Sequence, residues 1–495
     1  RNDRMKIGID FGTSFSLPAG MINGAPATLL PNGEYGIPSV FYYDSEVGVQ
    51  IGRAADDNAD FQPQNVKRDI KMEISTHADS FSADGKSFSK KQIVGHIFKE
   101  IVRVSRQESS RRELVSQSIE GVVISVPAAF TLRELNFIRE AAQLAESSNG
   151  SALKVLGFIR EPVAAAIAYF NAPKAEDNKT ILVYDLGGGT CDVAIVRANK
   201  NSNEWYKVID SDMKRIGGRD WDKVLIDMIK RKYQEKSGHI VFDAEAENKI
   251  RKQAIHAKHM LSTQPTARVS VNIAGKTHAC VISVQEFATA TAEILQSTMQ
   301  IVSRMMKKCD SLIDYIVCVG GSSNMPQIQN AFEETYPNIE VKVFDPEKAI
   351  AFGAAIYAEH LSEEQFLRDI CKFSYGARYV ENYAKYKDKQ RLRIWNIIYK
   401  GSQLPTTGNS SSYNIEDDER STYIAVYESD CTDSVYLPEN GTYIGDIRIT
   451  GIENGKKGDE TVLTMKIDQS GLMVLNAVDK KSGKSATAEI QLKDF

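Results

Sequence analysis

One local pattern occurs twice in this chain, and it constrains the fold more than any other feature of the sequence. Residues 9–14 and residues 184–190 each run from an apolar strand into an aspartate, a glycine turn and a hydroxyl residue. A later strand–helix unit follows each copy, with strands at residues 121–126 and 315–319. The repeat predicts two similar α/β halves that face each other and bring both acidic turns to one cleft.

A change in the pattern of strands, helices and turns along the sequence predicts two domains. A chain of 495 residues exceeds what one hydrophobic core usually supports. Strands alternate with helices over the first part of the chain, whereas the last part has a turn signal about every ten residues between strands of alternating polarity. We predict an α/β domain over 1–363, a linker over 364–375 and a compact antiparallel β-domain over 376–495. No helical lid is expected after these strands.

Composition excludes several classes of protein. Apolar residues make up 42% of the chain and charged residues 25%, which are ordinary globular values, and a net charge of -4 gives no reason to expect a nucleic acid or a membrane as partner. The 6 cysteines show neither a CxxC pair nor zinc-ligand spacing, which favours free thiols in a reducing compartment. Apolar runs are too short to span a bilayer and no signal peptide is visible, so a cytoplasmic protein is expected.

The repeated turns carry the residue types that a bound polyphosphate requires. Glycine turns let backbone N–H groups approach phosphate oxygens, and the preceding carboxylates, Asp10 and Asp185, suit a hydrated magnesium ion. Asp192 is close enough in sequence to belong to the same coordination shell around that ion. A single glycine turn after a strand usually marks only a tight connection, but two copies in repeated units favour a phosphate site.

Three further segments each have a functional and a structural interpretation. Residues 316–323 end a strand in glycines, where a nucleoside could lie, although an ordinary strand–helix turn looks the same. Glu161 precedes an alanine-rich helix and could serve only as an acid near a helix N-terminus. Lys67 could equally be a solvated surface lysine.

Together these segments resemble, in order and spacing, the successive signatures of the seventy-kilodalton heat-shock chaperones. The matching segments are residues 7–14, 122–130, 161–169, 183–192, 319–326 and 345–355, and in the tail residues 444–452, 467–474 and 477–484. The resemblance covers nearly the whole chain. It implies a duplicated actin-like (ribonuclease-H-like) nucleotide-binding domain with two lobes, followed by a smaller antiparallel β-sandwich that binds peptides. Actin and sugar kinases share the first fold but not the tail.

The resemblance also implies a site for ATP or ADP with magnesium, and potassium as a further candidate ion. Asp10 and Asp185 would hold magnesium mainly through water, and Asp192 would position the attacking water. Lys67 would stabilise charge on the γ-phosphoryl group, and Glu161 would order metal-bound water. Residues implied to contact the nucleotide are Gly12, Thr13, Ser14, Gly187, Gly188, Gly189, Thr190, Gly217, Gly218, Lys258, Ser262, Gly320, Gly321 and Ser322, and Thr190 is also counted as catalytic.

Several positions depart from the family pattern. His259 and Asn324 stand where the family clamps adenine between two arginines, and Ile255 replaces a glutamate that contacts ribose. Leu135 stands where an arginine relays the nucleotide state, and residues 366–370 lack the leucine run of the family linker. These departures imply weaker ATP binding and put the coupling between the domains in question.

The resulting hypothesis is an ATPase chaperone that binds extended apolar segments of unfolded polypeptides and couples ATP hydrolysis to peptide binding. Tyr423, Ile424 and Val426 are candidate peptide contacts, with packing inside the sheet as the alternative. A J-domain co-chaperone and a nucleotide exchange factor are the implied partners. Two alternatives stay open: a degenerate nucleotide-binding scaffold or regulator with little turnover, and a small-molecule kinase, which the β-rich tail disfavours.

Overall fold

The chain folds into two compact units. The computed structural model describes residues 4–76, 80–112, 118–145, 152–381, 391–469 and 471–489. The first unit comprises residues 1–128, 137–200 and 211–363, and the second comprises residues 129–136, 201–210 and 364–495. The second unit thus begins its main segment where the predicted linker begins, and it includes two short earlier segments. The predicted domain bounds themselves stay a prediction.

Strands before residue 364 are β1 (Arg4–Phe11), β2 (Phe15–Ile22), β3 (Ala25–Thr28), β4 (Ile37–Pro38), β5 (Phe41–Asp44), β6 (Gly48–Ile51), β7 (Val66–Lys67), β8 (Ser80–Ala83), β9 (Lys86–Ser89), β10 (Ser118–Val126), β11 (Val155–Arg160), β12 (Lys179–Leu186), β13 (Cys191–Ala198), β14 (Tyr206–Lys214), β15 (Thr266–Ile273), β16 (Lys276–Ser283), β17 (Tyr315–Val319) and β18 (Glu340–Val343). The α-helices are α1 (Arg53–Asn58), α2 (Lys90–Arg111), α3 (Leu132–Gln143), α4 (Glu161–Asn171), α5 (Gly218–Ser237), α6 (Ala244–Leu261), α7 (Val284–Ala290), α8 (Ala292–Lys308), α9 (Pro326–Thr335) and α10 (Ala349–Glu359). Strands after residue 364 are β19 (Leu367–Arg368), β20 (Ser374–Glu381), β21 (Arg391–Ile398), β22 (Thr406–Tyr413), β23 (Ser421–Ser429), β24 (Val435–Tyr436), β25 (Thr442–Thr450), β26 (Glu460–Ile467), β27 (Met473–Asp479) and β28 (Ser485–Glu489).

The first unit contains two sheets with the same strand arrangement. One contains the strand order β11-β10-β1-β2 and the other contains the strand order β18-β17-β12-β13. In each sheet, the strand with the acidic turn (β1 or β12) runs parallel to one neighbour (β10 or β17) and antiparallel to the other (β2 or β13). The duplicated α/β fold predicted from the sequence repeat is therefore confirmed.

Two apolar helices lie against these sheets and against each other. α10 packs on β1 and β2, α4 packs on β12 and β13, and α4 contacts α10 directly. Both helices are buried over most of their length because alanines and branched apolar residues cover nearly every side. The contact is too close for side chains at two points: a Cβ atom at Gly353 would lie 1.7 Å from the Ala164 carbonyl oxygen, and one at Gly8 would lie 2.2 Å from the Ala355 nitrogen.

Smaller elements complete the first unit. β5, β6 and β7 form a three-stranded sheet, and β8 and β9 form a hairpin. The hairpin β15–β16 packs on α6 and α5, which also contact each other. Among the residues that the structure describes, no helix has both the length and the apolar character needed to cross a bilayer.

The second unit is an antiparallel β-sandwich, as predicted. One sheet has the order β24-β21-β20-β23-β25 and the other has the order β22-β26-β27-β28, and β25 packs on β27 and β28. Its core contains Ile424, Val426, Ile447, Leu463 and Met465, all buried. Alternation of apolar with polar residues along β26 produces this arrangement, because successive side chains of a strand point to opposite faces.

Part of the predicted linker is a strand of the second unit. β19 pairs in parallel with Tyr206 and Lys207, residues that belong to the same unit. Phe366 is buried just before β19, with its ring 5.1 Å from the ring of Tyr206. The segment is therefore held by packing and by ladder hydrogen bonds.

A buried carboxyl group lies in the second unit. Glu428 is buried and accepts a hydrogen bond of 3.3 Å from the backbone N–H of Leu132, a residue of the same unit. Burial raises the pKa of Glu428 to about 7; the charges of Glu134 and Asp430 add to this rise, and hydrogen bonds from Leu132 and Tyr375 oppose it. Folding therefore shifts the ionisation of Glu428 towards the neutral carboxyl group.

We expect Gly353→Ala to destabilise the first unit by several kcal/mol, since its new methyl group would overlap the Ala164 backbone and force α4 and α10 apart. Calorimetric unfolding checks the loss. Gly321→Ala is the matched control, because the space around that position is open and its φ angle is not left-handed. Equal unfolding temperatures for the two variants would contradict the tight helix contact.

We expect Glu428→Gln to stabilise the protein at pH 8 and to change little at pH 4. The pKa of Glu428 rises from its ordinary 4.5 to about 7 on folding. The free energy of unfolding therefore falls as the pH rises from 4.5 to about 7, by up to about 3 kcal/mol, and the loss stays constant at higher pH. Unfolding temperatures at both pH values measure the effect. The exposed Glu439→Gln serves as control, and an equal shift at both pH values would count against burial as the cause.

Candidate functional site

Two carboxylates face each other across the hairpin of β12 and β13. Asp185 and Asp192 are direct partners in this antiparallel ladder, and the turn of residues 187–190 joins their strands. Both are buried, with exposures of 1% and 0%. Like charges directly opposite on a sheet are destabilising, so this pair indicates a role other than stability.

Burial and mutual repulsion raise the pKa values of both groups. The pKa of Asp185 lies well above its ordinary value because of burial first, and then because of the charges of Glu161, Asp192 and Asp10. Burial and the charge of Glu161 raise the pKa of Asp192 to about 7, although hydrogen bonds from Thr190 and the Ala128 backbone oppose the rise. The Ala128 N–H donates to Asp192 Oδ1 at 2.5 Å.

Asp10 is the penultimate residue of β1, the corresponding strand of the other sheet. Its Oδ1 accepts a hydrogen bond of 3.1 Å from the Ser125 hydroxyl on β10. Burial and the charge of Glu161 raise its pKa to about 7, with Lys71 and Ser125 acting in the opposite direction. Because Asp10 also raises the pKa of Asp185, the two repeated aspartates share one electrostatic environment.

Glu161 is the first residue of α4 and is buried beside these aspartates. Its carboxylate forms an ion pair with the ammonium of Lys71, which is also buried. The neighbouring Arg160 donates from its guanidinium to the Ala128 carbonyl oxygen, and Pro162 occupies the first turn of the helix. The start of α4 is thereby attached to the segment whose N–H binds Asp192.

The carboxylates fit a hydrated divalent ion. One oxygen from each of Glu161, Asp185 and Asp192 lies within 4.8 Å of the others. Among the described residues, Asp185 Oδ1 and Asp192 Oδ2 are buried oxygen atoms without a hydrogen-bond partner. Magnesium binds oxygen at about 2.1 Å and usually keeps several waters, so such spacing suits an ion held largely through water.

The two repeated glycine turns are in contact. A Cβ atom at Gly188 would lie 2.5 Å from Ser14 Oγ, and one at Gly189 would lie 2.6 Å from Thr13 Oγ1. The sequence repeat predicts that the acidic turns share one cleft, and the structure brings Gly12–Ser14 and Gly187–Thr190 together. Glycine is required here because any side chain would fill the space between the turns.

The remaining predicted nucleotide residues lie around the second turn. Gly218 N–H donates to the Gly187 carbonyl oxygen at 2.8 Å, and a Cβ atom at Gly217 would lie 2.5 Å from the Gly189 nitrogen. A Cβ atom at Gly218 would meet Ser322 Oγ at 2.2 Å and Lys258 Nζ at 3.0 Å.

Gly320 brings the third glycine segment close to Asp185. It has a φ of 80° and its Cβ position lies 2.6 Å from Asp185 Oδ1. Gly321 begins the short 3-10 helix Gly321–Asn324. Ser262 follows α6, where its hydroxyl donates to the Lys258 carbonyl oxygen.

Lys67 is the predicted catalytic residue that the structure does not bring to the acidic cluster. It lies on β7, pairs with Glu73 at 2.6 Å and has its ammonium 5.9 Å from the centre of the Phe81 ring. The lysine beside Glu161 is Lys71, which reasoning from the sequence missed. Its flanking residues, Ile70 and Met72, are apolar and buried, and a lysine between two apolar residues was the available signal.

The three candidate peptide contacts do not share one surface. Ile424 and Val426 are buried in the core of the sandwich. Tyr423 is 41% exposed on the other side of β23, where its ring lies 5.3 Å from the Arg448 guanidinium and 5.8 Å from that of Arg378. Ile424 and Val426 therefore occupy core positions, which is the alternative to peptide contact considered from the sequence.

Comparison with known proteins gives consistent matches. The family model described as "Hsp70 protein" matches residues 6–494. A ribosome-associated molecular chaperone from Eremothecium gossypii is 27% identical over 98% of this chain and 81% of its own length. A heat shock protein from Pyricularia oryzae is 26% identical over the same shares.

We expect Asp185→Asn to raise the unfolding temperature of the nucleotide-free protein at pH 8 by about 2 °C or more, because it removes one buried charge from a group of repelling carboxylates. Asp314→Asn is the contrasting control. Asp314 accepts the Thr180 N–H at 2.8 Å and pairs with Lys179 at 3.2 Å, so its replacement should lower the unfolding temperature. A drop for Asp185→Asn would contradict the repulsion.

Proposed function

The chain belongs to the Hsp70 family, and from this premise we propose that it hydrolyses ATP in the cleft between its repeated acidic turns. It is a molecular chaperone of the Hsp70 type, as predicted, and such chaperones bind unfolded polypeptides. We assign peptide binding to the β-sandwich and nucleotide binding to the first unit. The J-domain co-chaperone, the nucleotide exchange factor and the cytoplasmic location stay predictions. Ribosome association is named for a relative only.

The clustering of Glu161, Asp185 and Asp192 is the observation that carries the ATPase proposal. Asp10 and Asp185 would hold magnesium mainly through water, and Glu161 would bind one of those waters. When bound, magnesium would neutralise charge on the phosphates and on the departing ADP. The hydroxyls of Thr13, Ser14 and Thr190 lie at the contacting turns, where they can donate to phosphate oxygens.

Asp192 has the properties of a base for the attacking water. One carboxylate oxygen is held by the Ala128 N–H, and the other, Oδ2, has no partner within the described part of the chain. Burial raises its pKa, which strengthens it as a proton acceptor, and a general base is most effective when its pKa is close to the operating pH. As the water oxygen bonds to the γ-phosphorus, its proton passes to Asp192. The bond from that phosphorus to the β,γ-bridging oxygen breaks, and ADP leaves with this oxygen.

A nucleotide-binding scaffold is the second candidate. It is favoured by the base-binding side of the cleft, where His259 and Asn324 replace two arginines. Asn324 donates its side-chain amide to the Gly321 carbonyl oxygen, and burial lowers the pKa of His259, which favours its neutral form. Neither side chain offers the planar, charged stacking of an arginine. The acidic cluster opposes this alternative because a scaffold does not need it.

We expect the protein to convert ATP to ADP and phosphate in a single-turnover assay with magnesium, and Asp192→Asn to slow this step about 100-fold or more, since it removes the proposed base. Unfolded peptide should raise the steady-state rate. Asp227→Asn, on the exposed side of α5, is the matched control. Tight ATP binding without turnover in the unmodified protein would favour the scaffold instead.

A further inference from the structure

An arginine beside the start of α4 is connected to the proposed base through one residue of the main chain. Arg160 is the last residue of β11 and directly precedes α4. Its guanidinium donates a hydrogen bond to the carbonyl oxygen of Ala128. The backbone N–H of Ala128 donates in turn to Asp192 Oδ1 at 2.5 Å. Ala128 is fully buried, so both of its backbone polar groups depend on these partners.

The place of Arg160 in the sheet explains how its side chain reaches Ala128. Arg160 is the ladder partner of Val126, the last residue of β10. The carbonyl group of Ala128 lies two residues further on, up to about 7 Å along an extended chain, and a long side chain spans this distance. A buried carbonyl group without a donor costs free energy, so the guanidinium stabilises the segment in this position.

The contact between Ala128 and Asp192 joins the two repeated halves of the first unit. Ala128 follows β10 of the first sheet, whereas Asp192 lies on β13 of the second sheet. Asp192 also accepts a hydrogen bond from Thr190, which lies in the turn of its own hairpin. One hydrogen bond to the base thus comes from its own half, and the other depends on where the opposite half holds Ala128.

These hydrogen bonds set the direction of the remaining carboxylate oxygen. Asp192 Oδ2 has no hydrogen-bond partner in the part of the chain that the structure describes. The terminal torsion of an aspartate is broad, so its carboxylate turns readily when a contact to the other oxygen is lost. Displacement of Ala128 would turn Oδ2 away from the water that it must meet. A misplacement of about 1 Å in a catalytic group can slow a reaction about 100-fold.

We propose that Arg160 is a positioning residue for ATP hydrolysis, which acts through the backbone of Ala128 to align Asp192 with the attacking water. The inference rests on the proposed function, in which Asp192 is the base. Arg160 contacts neither the nucleotide nor the water in this assignment. Nucleotide binding does not require it, because the phosphate-binding turns consist of other residues, 12–14 and 187–190.

The first measurement separates hydrolysis from binding. Arg160→Met removes the donor and should slow single-turnover hydrolysis about tenfold or more, while the affinities for ATP and ADP by calorimetric titration should change less than about twofold. Arg160→Lys keeps a long side chain with a donor, so it should recover most of the lost rate. Arg197→Met is the matched control, because Arg197 is exposed and lies on β13, the strand that carries Asp192.

Amide hydrogen exchange measures the contact itself without turnover. The Ala128 N–H is buried and hydrogen-bonded, so it should exchange slowly in the nucleotide-free protein. Arg160→Met should speed this exchange about tenfold or more, as followed by nuclear magnetic resonance on protein with isotope-labelled alanine. The amide of Ala194, inside β13, should keep its rate, which shows that the variant remains folded.

The two measurements distinguish this inference from the proposed function. If the unmodified protein hydrolyses no ATP, the proposed function fails, while the exchange rates still decide whether Arg160 holds Ala128 against Asp192. Unchanged exchange of Ala128 in Arg160→Met would overturn the role of Arg160 even in an active ATPase. Equal losses of nucleotide affinity and rate, or a rate that Arg160→Lys does not recover, would overturn it as well.

Discussion

The close contact between α4 and α10 is the constraint on which the first unit depends. Gly353 lies against the backbone of Ala164, and Gly8 lies against the backbone of Ala355. These two points connect β1 through α10 to α4, and α4 lies on β12. Because Glu161 begins α4 while Asp10 and Asp185 are the penultimate residues of β1 and β12, the same packing that stabilises the core sets the distances among the three carboxylates. The packing of the core therefore also determines the geometry of the site.

The site itself works against stability. A hairpin with Asp185 directly opposite Asp192 is an unfavourable sheet pair, and burial of both groups increases the cost. The surrounding structure offsets it locally, through the Ala128 N–H and the charge of Lys71. Local rules of sequence and structure are violated mainly where a protein binds or reacts, and here the violation lies at the point where the two repeated turns meet.

Much of this arrangement could be predicted from sequence, because strand, acid and glycine turn are adjacent in the chain. The repeat identified both turns, and polar alternation identified the strands of the sandwich. The position of Lys71 beside Glu161 was not predicted in the same way, because the two residues are far apart in the chain and only the folded structure brings them together. Strand alternation separates Tyr423 from Ile424, but which face is covered depends on the opposite sheet.

The two sides of the cleft differ in how they follow the family pattern. The proposed phosphate side combines the acidic cluster, both glycine turns and a buried lysine, whereas the proposed base side has His259 and Asn324 at positions where the resemblance implies two arginines. Base contacts are the same for ATP and ADP, so their weakening lowers the affinity for both nucleotides alike. Contacts to the γ-phosphate distinguish the two nucleotides. These contacts would be made on the phosphate side, which keeps the residue types of the family pattern. A chain of this kind can therefore lose nucleotide affinity and still respond to hydrolysis, because the difference between its two states resides in the phosphate contacts.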